Sequence, residues 1–228
     1  MKRQIATTAD NSKTLFVPEL DEHYHSVHGA LQESLHVFIK AGLHECMGPD
    51  KSIRILEVGF GTGLNAWLSL REAMKNGLSI HYTALEKYPV LPAEIQELNY
   101  TELLPDGPVD LFDQLHQADW EQSMEILHIQ NASFHLHKKQ TDLKNFEASE
   151  EFDLVYFDAF APSAQPDLWT EDIFKSMFHA LKMGGLLVTY CVKGDVRRAM
   201  KAAGFEVEKI PGPPGKREMA RAWKKQNL

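Results

Sequence analysis

Four carboxylates stand at comparable places in the chain, each at or near the carboxyl end of a predicted strand. They are Glu57, Glu86, Asp142 and Asp158. A carboxylate among apolar residues costs roughly several kcal/mol unless it is paired. One or two such placements are expected by chance. Four at one edge of a sheet indicate a site for a ligand that carries positive charge and hydroxyl groups.

A glycine-rich turn follows the first of these strands, with Gly59, Gly61 and Gly63 in a G-x-G-x-G pattern. Glycines allow tight dihedral angles and a close approach of the backbone to a ligand. The spacing differs from the G-x-G-x-x-G of dinucleotide-binding proteins, and Glu57 would repel a pyrophosphate. The pattern therefore favours S-adenosylmethionine, whose ammonium and sulfonium groups are cationic, over a nicotinamide dinucleotide.

The positions of Glu86 and Asp142 along the chain indicate which part of the cofactor each would bind. Glu86 lies 23 residues after Gly63, close to where an acidic side chain holds ribose hydroxyls. Asp142 follows the third strand and is expected to accept a hydrogen bond from the adenine amino group. The full predicted cofactor-binding set is Glu57, Gly59, Gly61, Gly63, Asn65, Glu86, Lys87, Asp142 and Asp158.

Asp158 is the predicted catalytic residue. It ends the apolar run "LVYF", and the chain then turns through "AFAP". At the edge of a cofactor cleft, Asp158 would face either the sulfonium methyl or an incoming amine. It would orient such an amine and accept a proton from it. Its setting is similar to the Asp-Pro-Pro-Tyr element of amino-group methyltransferases.

The elements that must position these residues alternate along the chain. Apolar runs predict five strands at 52–60, 79–89, 132–143, 152–160 and 185–192, and a closing pair at 205–210 and 217–225. Helical periodicity falls at 63–77, 170–185 and 194–204, and residues 91–130 are predicted to be mostly helical. This alternation predicts an α/β fold with a mostly parallel seven-stranded sheet and a ligand cleft at its carboxyl edge.

An N-terminal extension precedes the alternating region. Two short strands around a turn and then a helix are predicted within residues 1–48. We expect this extension to pack on a methyltransferase domain formed by residues 49–228.

Composition excludes several classes of protein. Of 228 residues, 43% are hydrophobic and 25% charged, and no apolar run is long enough to span a bilayer. Two distant cysteines and the lack of an apolar leader predict a cytoplasmic protein. The net charge of −8 argues against a nucleic-acid partner, yet residues 193–228 carry ten Lys or Arg and four Asp or Glu. That basic segment is either a solvated surface or a contact for phosphate.

Three histidines near the N-terminus raise the question of whether the chain binds a metal ion. His23, His25 and His28 lie close together, but no cysteine or carboxylate completes a zinc-like set around them. We predict no metal site.

Longer motifs give the chain a family resemblance. They are "YHSVHGALQESLHVFI" (24–39), "LEVGFGTGLN" (56–65), "ALEKYP" (84–89), "FDAFAPSAQPDLWTEDIF" (157–174), "VRRAMKAAGF" (196–205) and "GKREM" (215–219). In these blocks the chain resembles the methyltransferases that complete 5-methylaminomethyl-2-thiouridine at the tRNA wobble position (the MnmC-type methyltransferase domain, free-standing in MnmD). The resemblance covers nearly the whole chain and implies a Rossmann-like S-adenosylmethionine-dependent methyltransferase fold.

The resemblance also implies a reaction. The chain would transfer a methyl group from S-adenosylmethionine to the 5-aminomethyl nitrogen of wobble 2-thiouridine in tRNA. Bifunctional family members carry a flavin-dependent oxidase domain as well. Because the chain ends at Leu228, we expect methyl transfer only, with a possible separate flavin oxidase acting upstream.

Five residues are predicted to bind the substrate. Phe160 and Trp169 would flank a base extruded from its stack, and Pro162 would shape the same loop. Lys216 and Arg217 lie in "PGPPGKRE" and would contact phosphate. Core packing and a plain surface turn remain the competing interpretations.

Three other functions remain open. The excess of acidic residues before residue 193 suits a methyltransferase of the same fold that acts on a small amine or a protein. A nicotinamide-dependent oxidoreductase is disfavoured by Glu57 and the glycine spacing. An inactive RNA-binding module is disfavoured by the intact Asp158 and the three glycines.

Overall fold

A computed structural model describes residues 1–105 and 109–225 of the chain. Its strands are β1 (Gln4–Thr7), β2 (Lys13–Val17), β3 (Glu22–His23), β4 (Ser52–Val58), β5 (Ser79–Glu86), β6 (Ser123–Ile129), β7 (Ala132–Gln140), β8 (Phe152–Phe157), β9 (Leu181–Thr189), β10 (Glu206–Pro211) and β11 (Glu218–Trp223). Its α-helices are α1 (Ala30–Ser34), α2 (Leu64–Asn76), α3 (Pro92–Ile95), α4 (Tyr100–Leu103), α5 (Val109–Gln117), α6 (Glu171–Ala180) and α7 (Gly194–Ala202). A π-helical segment, Leu35–Lys40, continues α1.

The large sheet has eight strands in the order β10-β11-β9-β8-β4-β5-β7-β6. The pairs β9-β8, β8-β4, β4-β5 and β5-β7 are parallel, and the remaining three pairs are antiparallel. The prediction of a mostly parallel α/β sheet is confirmed, whereas the predicted number of seven strands is wrong. The additional strand is β6, in a region predicted to be mostly helical.

Two other elements differ from the prediction. The N-terminal segment forms a three-stranded antiparallel sheet, β1-β2-β3, instead of two strands. Helix α6 ends at Ala180 instead of continuing to Gly184, because Leu181 already pairs with Phe152 of β8. The boundary between residues 1–48 and 49–228 stays a prediction.

Strand β4 shows how the sheet directs side chains to its two faces. Ile53 and Ile55 belong to the hydrophobic cluster that also contains Trp67 of α2. Leu56 and Val58 belong to the cluster on the opposite face. Since side chains alternate along a strand, residue 57 must face the α2 side of the sheet.

Candidate active site

The carboxyl ends of the parallel strands meet at one edge of the sheet. Val58 of β4 lies opposite both Leu85 and Phe157, and Glu86 lies opposite Gln140. A cavity of about 630 Å³ opens at this edge, within the size range of small-molecule sites. Its walls come from this edge, from the segment 22–27 and from the loop that follows β8.

The glycine turn brings the backbone close to other strands. Gly59 has φ 90°, and a Cβ placed there would lie 2.8 Å from the carbonyl oxygen of Asp158. Gly61 has φ 51° and, like Gly59, lines the cavity. Gly63 caps α2 against the His116 ring and is absent from the cavity wall. Direct contact with a ligand is therefore predicted for the first two glycines only.

Two carboxylates, Glu86 and Asp142, form what we call the outer rim of the cavity. Glu86 accepts the backbone N–H of Gly61 at 3.1 Å and that of Tyr88 at 2.7 Å. Asp142 pairs with the Lys87 ammonium at 2.8 Å and accepts the backbone N–H of Lys144 at 3.0 Å. The hydrogen bond from Lys87 is the largest cause of the lowered pKa of Asp142. Donors to the charged form thus hold this carboxylate ionised.

Two further carboxyl groups, Glu57 and Asp158, form what we call the inner pair. The side-chain NH₂ of Asn65, on the first turn of α2, donates to Glu57 Oε1 at 3.0 Å and to Asp158 Oδ2 at 2.9 Å. Asp158 lines the cavity, whereas Glu57 is 1% exposed and lies behind Asn65. The expectation that Glu57 faces the cofactor is therefore corrected. Its place within β4, one residue before the strand ends, directs it toward α2.

Burial governs the proton affinity of the inner pair. Loss of solvation, with a smaller contribution from the charge of Glu33, raises the pKa of Asp158 to about 7, against the lowering effects of Asn65 and Lys216. Burial and the charge of Asp158 raise the pKa of Glu57 well above its ordinary value. Glu57 Oε2 has no hydrogen-bond partner among the described residues. Neutral solution is thus the range in which Asp158 gains or releases a proton.

Sequence reasoning missed a buried ion pair in the cavity wall. Glu33 of α1 is 6% exposed and forms an ion pair with Lys216. The Lys216 ammonium lies 3.9 Å from the centre of the Tyr190 ring, and Tyr190 follows the end of β9. These three side chains come from distant parts of the chain, so no local pattern connects them.

The predicted substrate-binding residues divide into two groups. Phe160 lines the cavity, and its ring packs edge-on against Tyr24 at 4.9 Å. Trp169 is 5% exposed, packs against Phe157 at 5.0 Å and donates its indole N–H to the Phe160 carbonyl at 2.8 Å. The structure thus corrects Trp169 from a base-stacking residue to a buried support of the loop.

Pro162 and the exposed Arg217 also lie away from the cavity, whereas Lys216 lines it. The Lys216 ammonium is directed inward to Glu33 instead of outward to solvent.

The three N-terminal histidines are dispersed. The His23 ring packs on Phe16, His25 is buried against the Thr14 hydroxyl at 2.9 Å, and His28 covers Gly215. Within residues 1–105 and 109–225, no group of three or more His, Cys, Asp or Glu side chains is arranged to hold a metal ion. No helix among the described residues is long and apolar enough to cross a membrane.

The donor set of the cavity fits S-adenosylmethionine. Carboxylates of the outer rim suit hydroxyl and amino donors, and glycines at the turn allow backbone contact. Asp158 adds an acidic group where a cationic centre is favourable. Among the predicted cofactor-binding residues, those in the wall are Gly59, Gly61, Asn65, Glu86, Lys87, Asp142 and Asp158.

Several known proteins are similar to the chain. It is 32% identical over 218 residues to "tRNA 5-methylaminomethyl-2-thiouridine biosynthesis bifunctional protein MnmC" of Cupriavidus metallidurans, covering 92% of this chain and 32% of that protein. The MnmC protein of Aromatoleum aromaticum is 32% identical over 206 residues, covering 87% of this chain and 32% of that protein. The chain therefore spans about a third of the length of these curated relatives.

Solved structures agree with the observed architecture. The crystal structure of MNMC2 from Aquifex aeolicus matches with a TM-score of 0.79 and 28% identity, covering 99% of this chain and 71% of that one. Spermidine synthase from Thermotoga maritima matches with a TM-score of 0.50 and 14% identity, covering 99% of this chain and 72% of that one. The second match supports the fold alone.

A family model described as S-adenosyl-L-methionine-dependent methyltransferase matches residues 111–225, about half of the chain. That segment includes Asp142 and Asp158 at the cavity. The predicted cofactor, S-adenosylmethionine, agrees with this family. The chain belongs to the family of S-adenosyl-L-methionine-dependent methyltransferases.

Proposed function

We propose that the protein methylates the 5-aminomethyl nitrogen of wobble 2-thiouridine in tRNA and forms 5-methylaminomethyl-2-thiouridine. The MnmC relatives, matched over about nine-tenths of this chain, support the substrate. The observation that carries the chemistry is Asp158, a carboxyl group in the cavity wall whose pKa is raised to about 7. A group with that pKa is suited to accept a proton from an amine at neutral pH.

The cofactor is assigned to the half of the cavity that the outer rim borders. Glu86 would hold the ribose hydroxyls and Asp142 the adenine amino group, with Gly59 and Gly61 offering backbone contact. Bound there, S-adenosylmethionine supplies an electrophilic methyl group on its sulfonium.

The chain's own residues prepare the amine. A free alkylammonium has no lone pair for attack, so the proton must first leave its nitrogen. Asp158 accepts this proton on its carboxylate, while Asn65 fixes the carboxylate by donating to Oδ2. Most of the rate enhancement should come from positioning of the amine.

Contacts to the tRNA are assigned around the cavity mouth. The Phe160 ring, held against Tyr24, would stack on the extruded base. Arg217, exposed on the loop between β10 and β11, would contact phosphate.

The aminomethyl substrate must be formed before the methyl transfer. We assign this earlier step to a flavin-dependent oxidase, and we place both reactions in the cytoplasm, where tRNA is modified. A small-amine substrate is the second candidate, because the net charge of −8 and the acidic cavity suit any alkylammonium.

Transfer of labelled methyl from S-adenosylmethionine tests the proposal. The acceptor is tRNA from cells that lack this protein, and the labelled nucleoside is identified after digestion. We expect label in 5-methylaminomethyl-2-thiouridine. Cofactor binding with no label in tRNA, but label in small alkylamines, would move the function to the second candidate.

A further inference from the structure

The ion pair of Glu33 and Lys216 is unusual because its two members differ in freedom. The Glu33 side chain is 8% exposed, and its Oε2 accepts the backbone N–H of Ser26 at 2.7 Å, so its position is fixed. The Lys216 side chain is 32% exposed and extends from the loop between β10 and β11. Lys216 can therefore leave by rotation of its side chain, whereas Glu33 cannot.

The surroundings of the Lys216 ammonium are typical of a binding site for an alkylammonium. A buried carboxylate lies on one side and the face of Tyr190 on another, 3.9 Å from Nζ to the ring centre. The Tyr190 hydroxyl donates to the carbonyl of Ala159 at 2.8 Å, which fixes the ring. A carboxylate and an aromatic face together favour a cation that has lost part of its water.

This site lies beside the proposed catalytic group. Glu33, Tyr190, Lys216 and Asp158 all line the same cavity. The charges of Glu33 and Lys216 act on the pKa of Asp158 in opposite directions, which places both within electrostatic reach of its carboxyl group. An amine held between Glu33 and Tyr190 would thus have a proton acceptor close by.

We propose that Glu33 and the face of Tyr190 form the binding site for the alkylammonium group of the substrate, and that Lys216 occupies this site until the substrate displaces it. Lysine ends in CH₂–NH₃⁺, the same group that an aminomethyl substrate presents. In the free protein Lys216 neutralises Glu33, whose unpaired burial would be costly. The inference rests on the proposed function for the identity of the entering group.

Binding of methylammonium tests the site without any transfer reaction. Methylammonium chloride is titrated into the full chain saturated with S-adenosylhomocysteine, with sodium chloride at matched ionic strength as reference, and backbone amide shifts are followed by NMR. We expect K216M to bind methylammonium at least tenfold more tightly than the wild type. The double variant E33Q/K216M should lose this gain, and K209M, which removes the surface partner of Glu218 on the same hairpin, should match the wild type. Binding by K216M no tighter than by the wild type would overturn the proposal.

A second readout connects the site to tRNA. E33Q should raise the KM for aminomethyl-tRNA at least tenfold and leave the Kd of S-adenosylmethionine unchanged. If the wild type methylates tRNA and E33Q keeps its KM, this inference is wrong and the proposed function stands. If the wild type does not methylate tRNA, the proposed function fails, while the titration still decides whether the site binds an alkylammonium. Should K216M not fold, K216Q, which keeps a donor for Glu33, replaces it.

Discussion

The outer rim and the inner pair of the cavity are built from the same functional group in opposite environments. Glu86 and Asp142 of the outer rim receive hydrogen bonds from backbone N–H groups, and Asp142 also receives one from Lys87. Glu57 and Asp158 of the inner pair share the single NH₂ group of Asn65. The pKa of Asp142 is lowered, and the pKa values of both inner carboxyls are raised.

This difference shows that the surroundings of a carboxylate assign its role. A half-buried carboxylate that already receives several hydrogen bonds from backbone N–H groups is suited to accept further hydrogen bonds from a ligand. A desolvated carboxylate with few donors exchanges its proton near neutral pH and can serve as a base. We therefore expect outer-rim substitutions to change cofactor affinity and Asp158 substitutions to change turnover.

The largest effect is expected for D158A. Loss of a positioned proton acceptor should lower kcat by about 10²–10⁴-fold. The Kd of S-adenosylhomocysteine, which lacks the sulfonium charge, should change by less than about twofold, because Asp158 does not anchor the ribose or the adenine. Stopped-time methyl transfer and equilibrium titration measure the two quantities. The matched control is D172N, an exposed carboxylate of α6 away from the cavity. Unchanged turnover in D158A would remove Asp158 from the chemistry.

An outer-rim substitution should give the reverse pattern. E86Q should weaken cofactor binding by about 10–100-fold, the effect of a hydrogen bond to a charged acceptor, and leave kcat at saturating cofactor within about threefold. D142N should weaken it by only about 2–5-fold, since its pair with Lys87 lies in contact with solvent. A fall in saturated kcat for E86Q as large as that for D158A would abolish the distinction between the two regions.

The pH dependence of turnover tests the same comparison between the outer rim and the inner pair. Turnover should rise as the pH rises through about 7, because Asp158 must lose its proton before it can accept one from the amine. N65A should move this rise to higher pH, since the Asn65 amide stabilises the ionised form of Asp158. Affinity for S-adenosylhomocysteine, which lacks the sulfonium charge, should stay flat over the same range. A midpoint in N65A equal to that of the wild type would show that Asn65 does not act on Asp158.

The remaining effect is expected in stability and not in activity. A carboxyl whose pKa is raised in the folded state binds its proton more tightly there, so stability falls as the pH rises from about 4 to about 7. D158N lacks this penalty and should be more stable than the wild type at pH 8 by up to about 4 kcal/mol, which corresponds to the rise of the Asp158 pKa from 3.8 to about 7, with no such gain at pH 4. Denaturant unfolding at the two pH values measures this difference. An equal gain at both values would attribute it to packing instead of charge.

Much of the cavity was predictable because it depends on where strands end. Strand ends follow from apolar runs that stop at turn residues, and Glu86, Asp142 and Asp158 all come to the cavity as this pattern indicates. Glu57 does not, since its position one residue before the end of β4 decides which face it takes. The alternation of Ile53, Ile55 and Glu57 on one face was a sequence signal that could have placed it correctly.

Other features of the fold and the cavity could not be predicted, because no local sequence pattern indicates them. Strand β6 contains a register shift between Glu125 and Leu127, which breaks the alternation that identifies a strand. Glu33, Tyr190 and Lys216 meet only because α1, the end of β9 and the loop after β10 converge in the folded chain. From the sequence alone, Trp169 fits a stacking role and a packing role equally well. The packing role becomes evident only from the hydrogen bond that its indole N–H donates to the Phe160 carbonyl.

The most direct test of the two-region account is the titration of the Asp158 carboxyl itself. The carboxyl carbons of aspartate are labelled with ¹³C, and their NMR signals are followed from pH 2 to pH 9. The Asp158 and Asp142 signals are assigned by their loss in D158N and D142N. We predict a midpoint near pH 7 for Asp158 and a midpoint below the ordinary value for Asp142. Midpoints for both residues at or below the ordinary aspartate value of 3.8 would contradict the account.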